Sequence, residues 1–174
     1  MSTTNIRRID QPTEREIAGL CDVLIDCVEG GASVSFMAPM TREKADAFWR
    51  KVAASAARGE RALLVAEDES TRILGTVQLI WDLPENQPHR GDLGKMLVHR
   101  DARGRGLGAA LLQAAEDCAR AEGKTLLVLD TVTGSAGYRL YERGGWTRVG
   151  EIPNYALMPD GAPCPTTYFY KEIG

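Results

Sequence analysis

Apolar side chains recur every three to four residues in two segments near the start of the chain, a spacing that predicts two amphipathic helices. The first helix follows Thr13, which opens a Thr-x-x-Glu capping box, and its apolar stripe ends at Gly30. The second helix follows Thr41 and stops near Gly59. A short strand is predicted at residues 5–9, before both helices.

Shorter apolar runs in the rest of the chain predict strands and two more helices. Residues 62–67 and 73–81 form a predicted hairpin around a polar turn. Further strands are predicted at residues 92–98, 125–130, 146–151 and 166–171, and further helices at residues 107–123 and 135–143. The run 125–130 is almost wholly apolar, which places it near the centre of the sheet. This order predicts one α/β domain, a mixed sheet with helices on both faces.

The composition agrees with a single globular domain and narrows the choice of partners. The chain has 174 residues, of which 44% are apolar, and its formal net charge is -3. Without a basic field, we expect neither a nucleic acid nor an anionic membrane as partner. The N-terminus lacks the apolar core of a signal peptide, and no apolar run is long enough for a membrane span, so a cytoplasmic location is expected.

The cysteines and histidines predict no metal site. Cys21, Cys27, Cys118 and Cys164 show no Cys-x-x-Cys spacing, and the first three lie among apolar residues of predicted helices. Buried, reduced thiols are therefore expected. Only two histidines are available as further ligands, so we expect no zinc.

A glycine-rich loop, Arg-Gly-Arg-Gly-Leu-Gly at residues 103–108, lies between a predicted strand and a predicted helix. It presents consecutive backbone N–H groups at a helix N-terminus, where the helix dipole favours an anion. Arg103 and Arg105 could contact a second phosphate, so a diphosphate suits the loop. The candidate cofactor-binding residues here are Arg103, Gly104, Arg105, Gly106, Leu107, Gly108 and Ala109.

A dinucleotide fold is the alternative interpretation of this loop. Residues 104–109 satisfy G-x-G-x-x-[GA], and Asp130 ends the next strand, where a ribose-binding acid would stand. However, residues 99–103 separate the loop from its strand, and the unit begins halfway along the chain. These two features argue against a dinucleotide fold.

The strand GDLGKMLV, the loop HRDARGRGLG and the helix after them resemble the acetyl-CoA signature of the GNAT N-acetyltransferase superfamily. Its pattern, Arg/Gln-x-x-Gly-x-Gly/Ala, is matched by Arg103, Gly106 and Gly108. The later segment YRLYERGGW, residues 138–146, resembles the superfamily's L-Y-x-x-x-G-F segment, with Trp146 in place of Phe. The resemblance implies acetyl-CoA as co-substrate and a mostly antiparallel α+β sheet of about six or seven strands.

Within that superfamily, three segments resemble the tabtoxin-resistance group of small-molecule acetyltransferases: residues 29–37, 129–137 and 148–161. This resemblance implies a small amine acceptor, amino-acid-like or toxin-like, and a role in toxin resistance. One position departs from the superfamily's pattern. Gly134 stands where an Asn is frequent, which removes any side-chain contact to the pantetheine arm there.

Two residues are the predicted catalytic groups. Tyr141 resembles the superfamily's general acid. Its chemistry fits that role, because a phenol stays protonated at neutral pH and can donate to a departing thiolate. The alternative is a tyrosine that only packs in the core. Asp130 is out of place at the end of an apolar strand and is the first candidate for the base, although it could instead cap the next turn. Asp92 and Glu29 are weaker candidates.

The remaining predicted site residues bind the two substrates. Backbone groups of Met96 and Val98 should face the acyl arm, as the resemblance also implies, and Tyr138 lies in the matched later segment. The connection at residues 29–37 is implied to line the amine pocket. It contributes Glu29, Ser33, Ser35 and Phe36, unless Phe36 and Met37 only anchor the second helix. Further candidates for lining the amine pocket are Trp81, which ends a strand, Asp92, and Tyr155, which lies in a late loop.

The sequence therefore predicts an acetyl-CoA-dependent N-acetyltransferase that acts on a small amine. Relatives are often dimeric, so the resemblance makes a homodimer possible, but the sequence itself shows no interface signature. Two alternatives stay open at this point. A non-catalytic acyl-CoA-binding module would keep the loop but have no use for Tyr141. A protein N-acetyltransferase would need a more open acceptor side than the connection at residues 29–37 suggests.

Overall fold

The computed structural model describes residues 4–174, which form one seven-stranded sheet and four α-helices. In chain order the elements are β1 (Asn5–Ile9), α1 (Glu14–Glu29), α2 (Arg42–Ala57), β2 (Arg61–Glu67), β3 (Ile73–Ile80), β4 (Arg90–Val98), α3 (Leu107–Ala121), β5 (Leu126–Val132), α4 (Ala136–Arg143), β6 (Thr147–Leu157) and β7 (Pro163–Glu172). The predicted element order is confirmed. Among the described residues, no helix is long and apolar enough to cross a membrane.

The sheet has the strand order β1-β2-β3-β4-β5-β7-β6. All neighbouring strands run antiparallel except β4 and β5, which are parallel. The prediction of a mixed, mostly antiparallel sheet is therefore confirmed. The apolar strand β5 lies inside the sheet between β4 and β7, as its composition predicts.

Helices cover both faces of the sheet, because each helix has an apolar stripe that must be buried. α1 and α2 pack on one face, where Leu20, Trp49 and Leu63 are fully buried. α3 and α4 pack on the other face, around Leu111, Leu127 and Phe169. α1 begins at the predicted capping box, in which the N–H of Glu16 donates to the Thr13 hydroxyl and the Glu16 carboxylate accepts from the Thr13 N–H.

Several strand boundaries differ from the prediction. β4 begins at Arg90 rather than at residue 92, and β7 begins at Pro163 rather than at residue 166. β6 continues to Leu157, so Tyr155 lies on a strand and not in a loop. Asn154 has a φ of 53° at a shift in register, and β6 pairs with β7 again beyond it. This irregularity hides the strand pattern in the sequence.

The central strands separate from one another, and this separation creates space for a site. β4 and β5 are paired only from Arg90 to Asp92 and from Leu126 to Val128. β4 also carries a bulge, because two of its residues, Lys95 and Met96, oppose one residue of β3. The edge of β4 beyond Asp92 is therefore left unpaired on the side of β5.

Candidate active site

A cavity of about 1110 Å³ lies where β4 and β5 separate. The connection between α1 and α2 borders one side of it, through residues 30–37, and the glycine loop with α3 and α4 borders another. The predicted site residues that line it are Ser33, Ser35, Phe36, Met96, Val98, Arg103, Gly104, Gly106, Leu107, Gly108, Ala109, Asp130 and Tyr141. Tyr155, on β6, also lines it.

The glycine loop has the backbone of an anion site. Gly104 and Gly106 have φ values of 73° and 77°, which glycine adopts without the steric cost of a Cβ. Gly106 is the N-cap of α3, and no side chain caps the N–H groups of the first helical turn. A Cβ added to either glycine would meet no heavy atom within 4 Å, so a ligand can approach this backbone.

A buried carboxylate anchors the chain that leads into the loop. Asp26, on α1, is 8% exposed and accepts from the N–H of Arg100 at 2.9 Å, and it is ion-paired with the Arg100 guanidinium. Arg103 turns toward β4, where its Nε donates to the carbonyl oxygen of Val98 at 3.0 Å. Arg105 is exposed. Of the two loop arginines, Arg103 lines the cavity, whereas Arg105 lies outside its lining and is accessible to an anion at the surface of the loop.

Tyr141 is held on α4 and is 5% exposed. The ring lies 5.7 Å from that of Trp146 and 6.2 Å from that of Phe169, measured between centroids. Burial, with the nearby negative charge of Asp130, raises the pKa of the Tyr141 phenol well above its usual value. The hydroxyl therefore stays protonated throughout the neutral range and can act as a donor into the cavity.

Asp130 lies near the end of β5, on the face of the sheet that its cross-strand partner Tyr168 shares. Its carboxylate accepts from the Thr166 hydroxyl at 2.8 Å. The Tyr168 hydroxyl lies 3.0 Å from that of Tyr155. This hydrogen bond, burial and the charge of Asp130 together raise the pKa of Tyr168 to about 12. Sequence reasoning missed Thr166 and Tyr168, which become neighbours of Asp130 only through the pairing of β5 with β7.

Lys95 is a second cavity residue that sequence reasoning missed. Its Nζ donates to the Ser35 hydroxyl at 3.0 Å and lies 5.7 Å from the centre of the Phe48 ring. Burial lowers the pKa of the Lys95 ammonium, and the negative charge of Asp130 opposes this effect. The available signal was the single charge in the apolar run of residues 93–98.

Phe36 supports both interpretations of the connection between α1 and α2. Its ring packs edge-on against Phe48 of α2 at 5.2 Å, as an anchor of that helix would, and it also lines the cavity. Met37 is 41% exposed, so it does not anchor α2 in the way that the simpler interpretation requires.

Two predicted wall residues lie away from the cavity. Trp81 packs against Gly91 and lies 5.2 Å from Lys124 Nζ, near the start of β4, whereas the cavity opens toward the other end of that strand. A position at a strand end does not specify which end of the sheet a residue occupies, and the structure places Trp81 away from this cavity. Asp92 is also absent from the cavity lining, and its carboxylate is ion-paired with Arg90.

Three further predicted site residues are absent from the lining of the main cavity. Glu29 ends α1 and borders a separate pocket of about 370 Å³, together with Arg42 and Arg100. Tyr138 is partly buried and packs edge-on against Phe169 of the core, with the ring centroids 5.2 Å apart. Arg105, in the glycine loop, is exposed.

Comparison with known proteins identifies this arrangement. The Acetyltransferase (GNAT) family profile matches residues 31–146. An uncharacterised N-acetyltransferase from the hisH-hisA intergenic region of Azospirillum brasilense is 33% identical over 132 residues, which are 75% of this chain and 76% of that protein.

Solved structures share the fold. An N-acetyltransferase from Staphylococcus aureus Mu50 superposes with a TM-score of 0.81 at 19% identity, over 99% of this chain and 100% of that one. A protein assigned as an acetyltransferase from Salmonella typhimurium, whose structure contains acetyl-CoA, gives a TM-score of 0.80 at 21% identity, over 99% and 95%. The profile match and the 33% identical relative together show that this chain belongs to the GNAT acetyltransferase family.

Proposed function

We propose that this protein transfers an acetyl group from acetyl-CoA to the primary amine of a small molecule. One observation carries the proposal: a single cavity joins the uncapped N-terminus of α3 to Asp130, Tyr141 and the connection between α1 and α2. An anion-binding element, a proton donor and a carboxylate are thus brought to one space, as acyl transfer to an amine requires.

The residues on two sides of the cavity fit acetyl-CoA. The N–H groups after Gly106 and the exposed side chain of Arg105 suit a diphosphate. The unpaired edge of β4, which includes Met96 and Val98, offers backbone hydrogen-bonding groups to an extended amide-containing arm. Acetyl-CoA supplies an activated acetyl thioester, and these residues would hold and aim it.

Two side chains supply the proton transfers. An alkylamine is mostly protonated at neutral pH, so it needs a base before it can attack; Asp130 accepts that proton directly or through a water. Tyr141, which burial keeps protonated, donates to the sulfur as it departs. A backbone N–H of β4 facing the cavity would stabilise negative charge that develops on the carbonyl oxygen.

Hydrogen bonds between distant parts of the chain bridge the acceptor side, which favours a small acceptor. The Ser33 hydroxyl donates to the carbonyl oxygen of Leu157 at 2.9 Å, and the N–H of Ala38 donates to that of Pro159 at 3.0 Å. These bonds join the connection between α1 and α2 to β6 and the turn after it. A folded protein substrate would have to break them, whereas a small amine would fit inside, as the tabtoxin-resistance resemblance also implies.

The test is thiol release from acetyl-CoA in the presence of small primary amines or of peptides with free N-termini and lysines. We expect turnover with small amines and at least about tenfold lower kcat/KM with peptides. Preference for peptides would instead support a protein N-acetyltransferase. Tight acetyl-CoA binding without turnover on any acceptor would support the non-catalytic module.

A further inference from the structure

Lys95 brings a positive charge to the acceptor side of the cavity, at a position that the proposed transfer mechanism does not use. The residue lies on the bulge of β4 and lines the same cavity as Asp130 and Ser35. In the part of the chain that the structure describes, no carboxylate lies within 4.0 Å of its Nζ. Its close partners are the Ser35 hydroxyl and the Phe48 ring, neither of which carries a negative charge.

The backbone holds this contact in an unusual conformation. Lys95 has a φ of 49° and Ser35 a φ of 79°, in the left-handed region that residues with a Cβ seldom adopt. The structure joins these two left-handed residues, 60 positions apart, through one hydrogen bond of 3.0 Å. Backbone strain of this kind is concentrated at ligand sites, because the surrounding structure must compensate for it.

The pair is also chemically suited to an oxyanion. The Lys95 ammonium has three donors, of which the Ser35 oxygen uses one. The Ser35 hydroxyl accepts that bond and keeps its own proton to donate. This cation is partly desolvated and its close partners are neutral. It should therefore interact most strongly with an anion that supplies both negative charge and acceptor atoms.

We propose that Lys95 and Ser35 bind a compact oxyanion on the acceptor, such as a carboxylate, while Asp130 receives the proton of the acceptor's amine. This inference rests on the acetyl transfer proposed above and narrows its substrate class to amines that also carry an anionic group. The two opposite charges on the cavity wall then match the two opposite charges of an amino acid. A simple alkylamine would satisfy only Asp130.

Matched pairs of acceptors test the proposal, because the two members of each pair differ only in the carboxylate once kcat/KM is expressed per concentration of unprotonated amine. Each pair is an amino acid and the amine that remains when its carboxylate is removed, such as methionine and 3-(methylthio)propylamine, leucine and 3-methylbutylamine, or 4-aminobutyrate and propylamine. Thiol release gives kcat/KM for each member. For at least one pair, we expect the wild type to favour the anionic member by about tenfold to a hundredfold, the range for one charge-assisted contact.

Substitutions assign that preference to Lys95. Lys95→Met should abolish the preference, mainly through a higher KM for the anionic member, with acetyl-CoA affinity measured by calorimetry unchanged. Lys95→Arg keeps the charge and should retain part of the preference. Lys124→Met, which removes a lysine at the far end of the sheet, is the matched control and should keep it all.

The outcomes separate this inference from the proposed function. Equal turnover of both members of every pair by the wild type would overturn the inference and leave acetyl transfer intact. A preference that survives in Lys95→Met would also overturn it. No turnover with any member, despite acetyl-CoA binding, would overturn both proposals.

Discussion

Replacing Gly106 by aspartate would place a negative charge at the proposed diphosphate site while disturbing the fold little. Gly106 has a φ of 77° and is the N-cap of α3. Aspartate enters the left-handed region more readily than most residues and is a preferred N-cap, so the backbone strain and the capping gain oppose each other. We expect the free energy of unfolding to change by no more than about 1 kcal/mol.

The effect on binding should be much larger. A Cβ at Gly106 meets no heavy atom within 4 Å, so the new carboxylate would project into open space beside the uncapped N–H groups. One negative charge about 5 Å from a phosphate makes the free energy of binding less favourable by roughly 3 kcal/mol at an effective dielectric constant of 20. This cost corresponds to a loss of acetyl-CoA affinity of about a hundredfold or more.

Gly106→Asn is the matched control, because it has the same shape and capping ability without the charge. Calorimetric titration with acetyl-CoA should show that the asparagine variant binds at least about tenfold more tightly than the aspartate variant. This difference should shrink as salt is added, because ions screen the repulsion. Equal affinities of the two variants, with both proteins folded by circular dichroism, would refute the assignment of the loop to the diphosphate.

Further substitutions test the other parts of the site. Tyr141→Phe should lower kcat about a hundredfold and leave the acetyl-CoA affinity within twofold of the wild-type value. Tyr138→Phe, on the same helix, is the control and should change neither quantity. An unchanged kcat in Tyr141→Phe, when chemistry limits turnover, would remove Tyr141 from the mechanism. The free energy of unfolding of the wild type should fall as the pH rises above about 10, because the unfolded chain ionises a phenol that the folded protein keeps protonated. Chemical denaturation at the same pH should show a smaller fall for Tyr141→Phe. In Asp130→Asn the side chain can still accept from the Thr166 hydroxyl but can no longer accept a proton from the amine. The kcat/KM for amines should therefore fall about a hundredfold. An unchanged value would exclude Asp130 as the base. The edge strand β6 exposes apolar side chains, among them Val149, which is 66% exposed, and such a surface favours association of two copies. Light scattering should therefore show a dimer that Val149→Lys dissociates, and a monomeric wild type would contradict this prediction.

The sequence predicted the elements well because their apolar spacing is regular. Each helix carries a stripe that its sheet face buries, and caps such as Thr13 define where the helices begin. β6 was predicted too short because most of its side chains are exposed on both faces and Asn154 interrupts its register, so no alternation of buried and exposed residues marks the strand.

The candidate site was predictable where it is contiguous in the sequence. The glycine loop is one such segment, and all of its residues except Arg105 line the cavity. The acceptor side could not be predicted in the same way, because a bulge in β4 turns Lys95 toward Ser35, 60 residues away. Likewise, the sequence could not show that Trp81 lies away from this cavity, because a one-dimensional pattern locates a residue at a strand end without specifying which neighbours meet it there.

The most direct measurement is product stoichiometry in a single reaction. Wild-type protein is mixed with acetyl-CoA and a small amino acid that supports thiol release, and free thiol and N-acetylated product are measured together, the latter by mass spectrometry. Acetyl transfer predicts one acetylated amine for each thiol released, with both signals falling together in Tyr141→Phe. Thiol release without acetylated amine, or no release with any amine while acetyl-CoA binds, would contradict the proposal that this protein is an N-acetyltransferase of small amines.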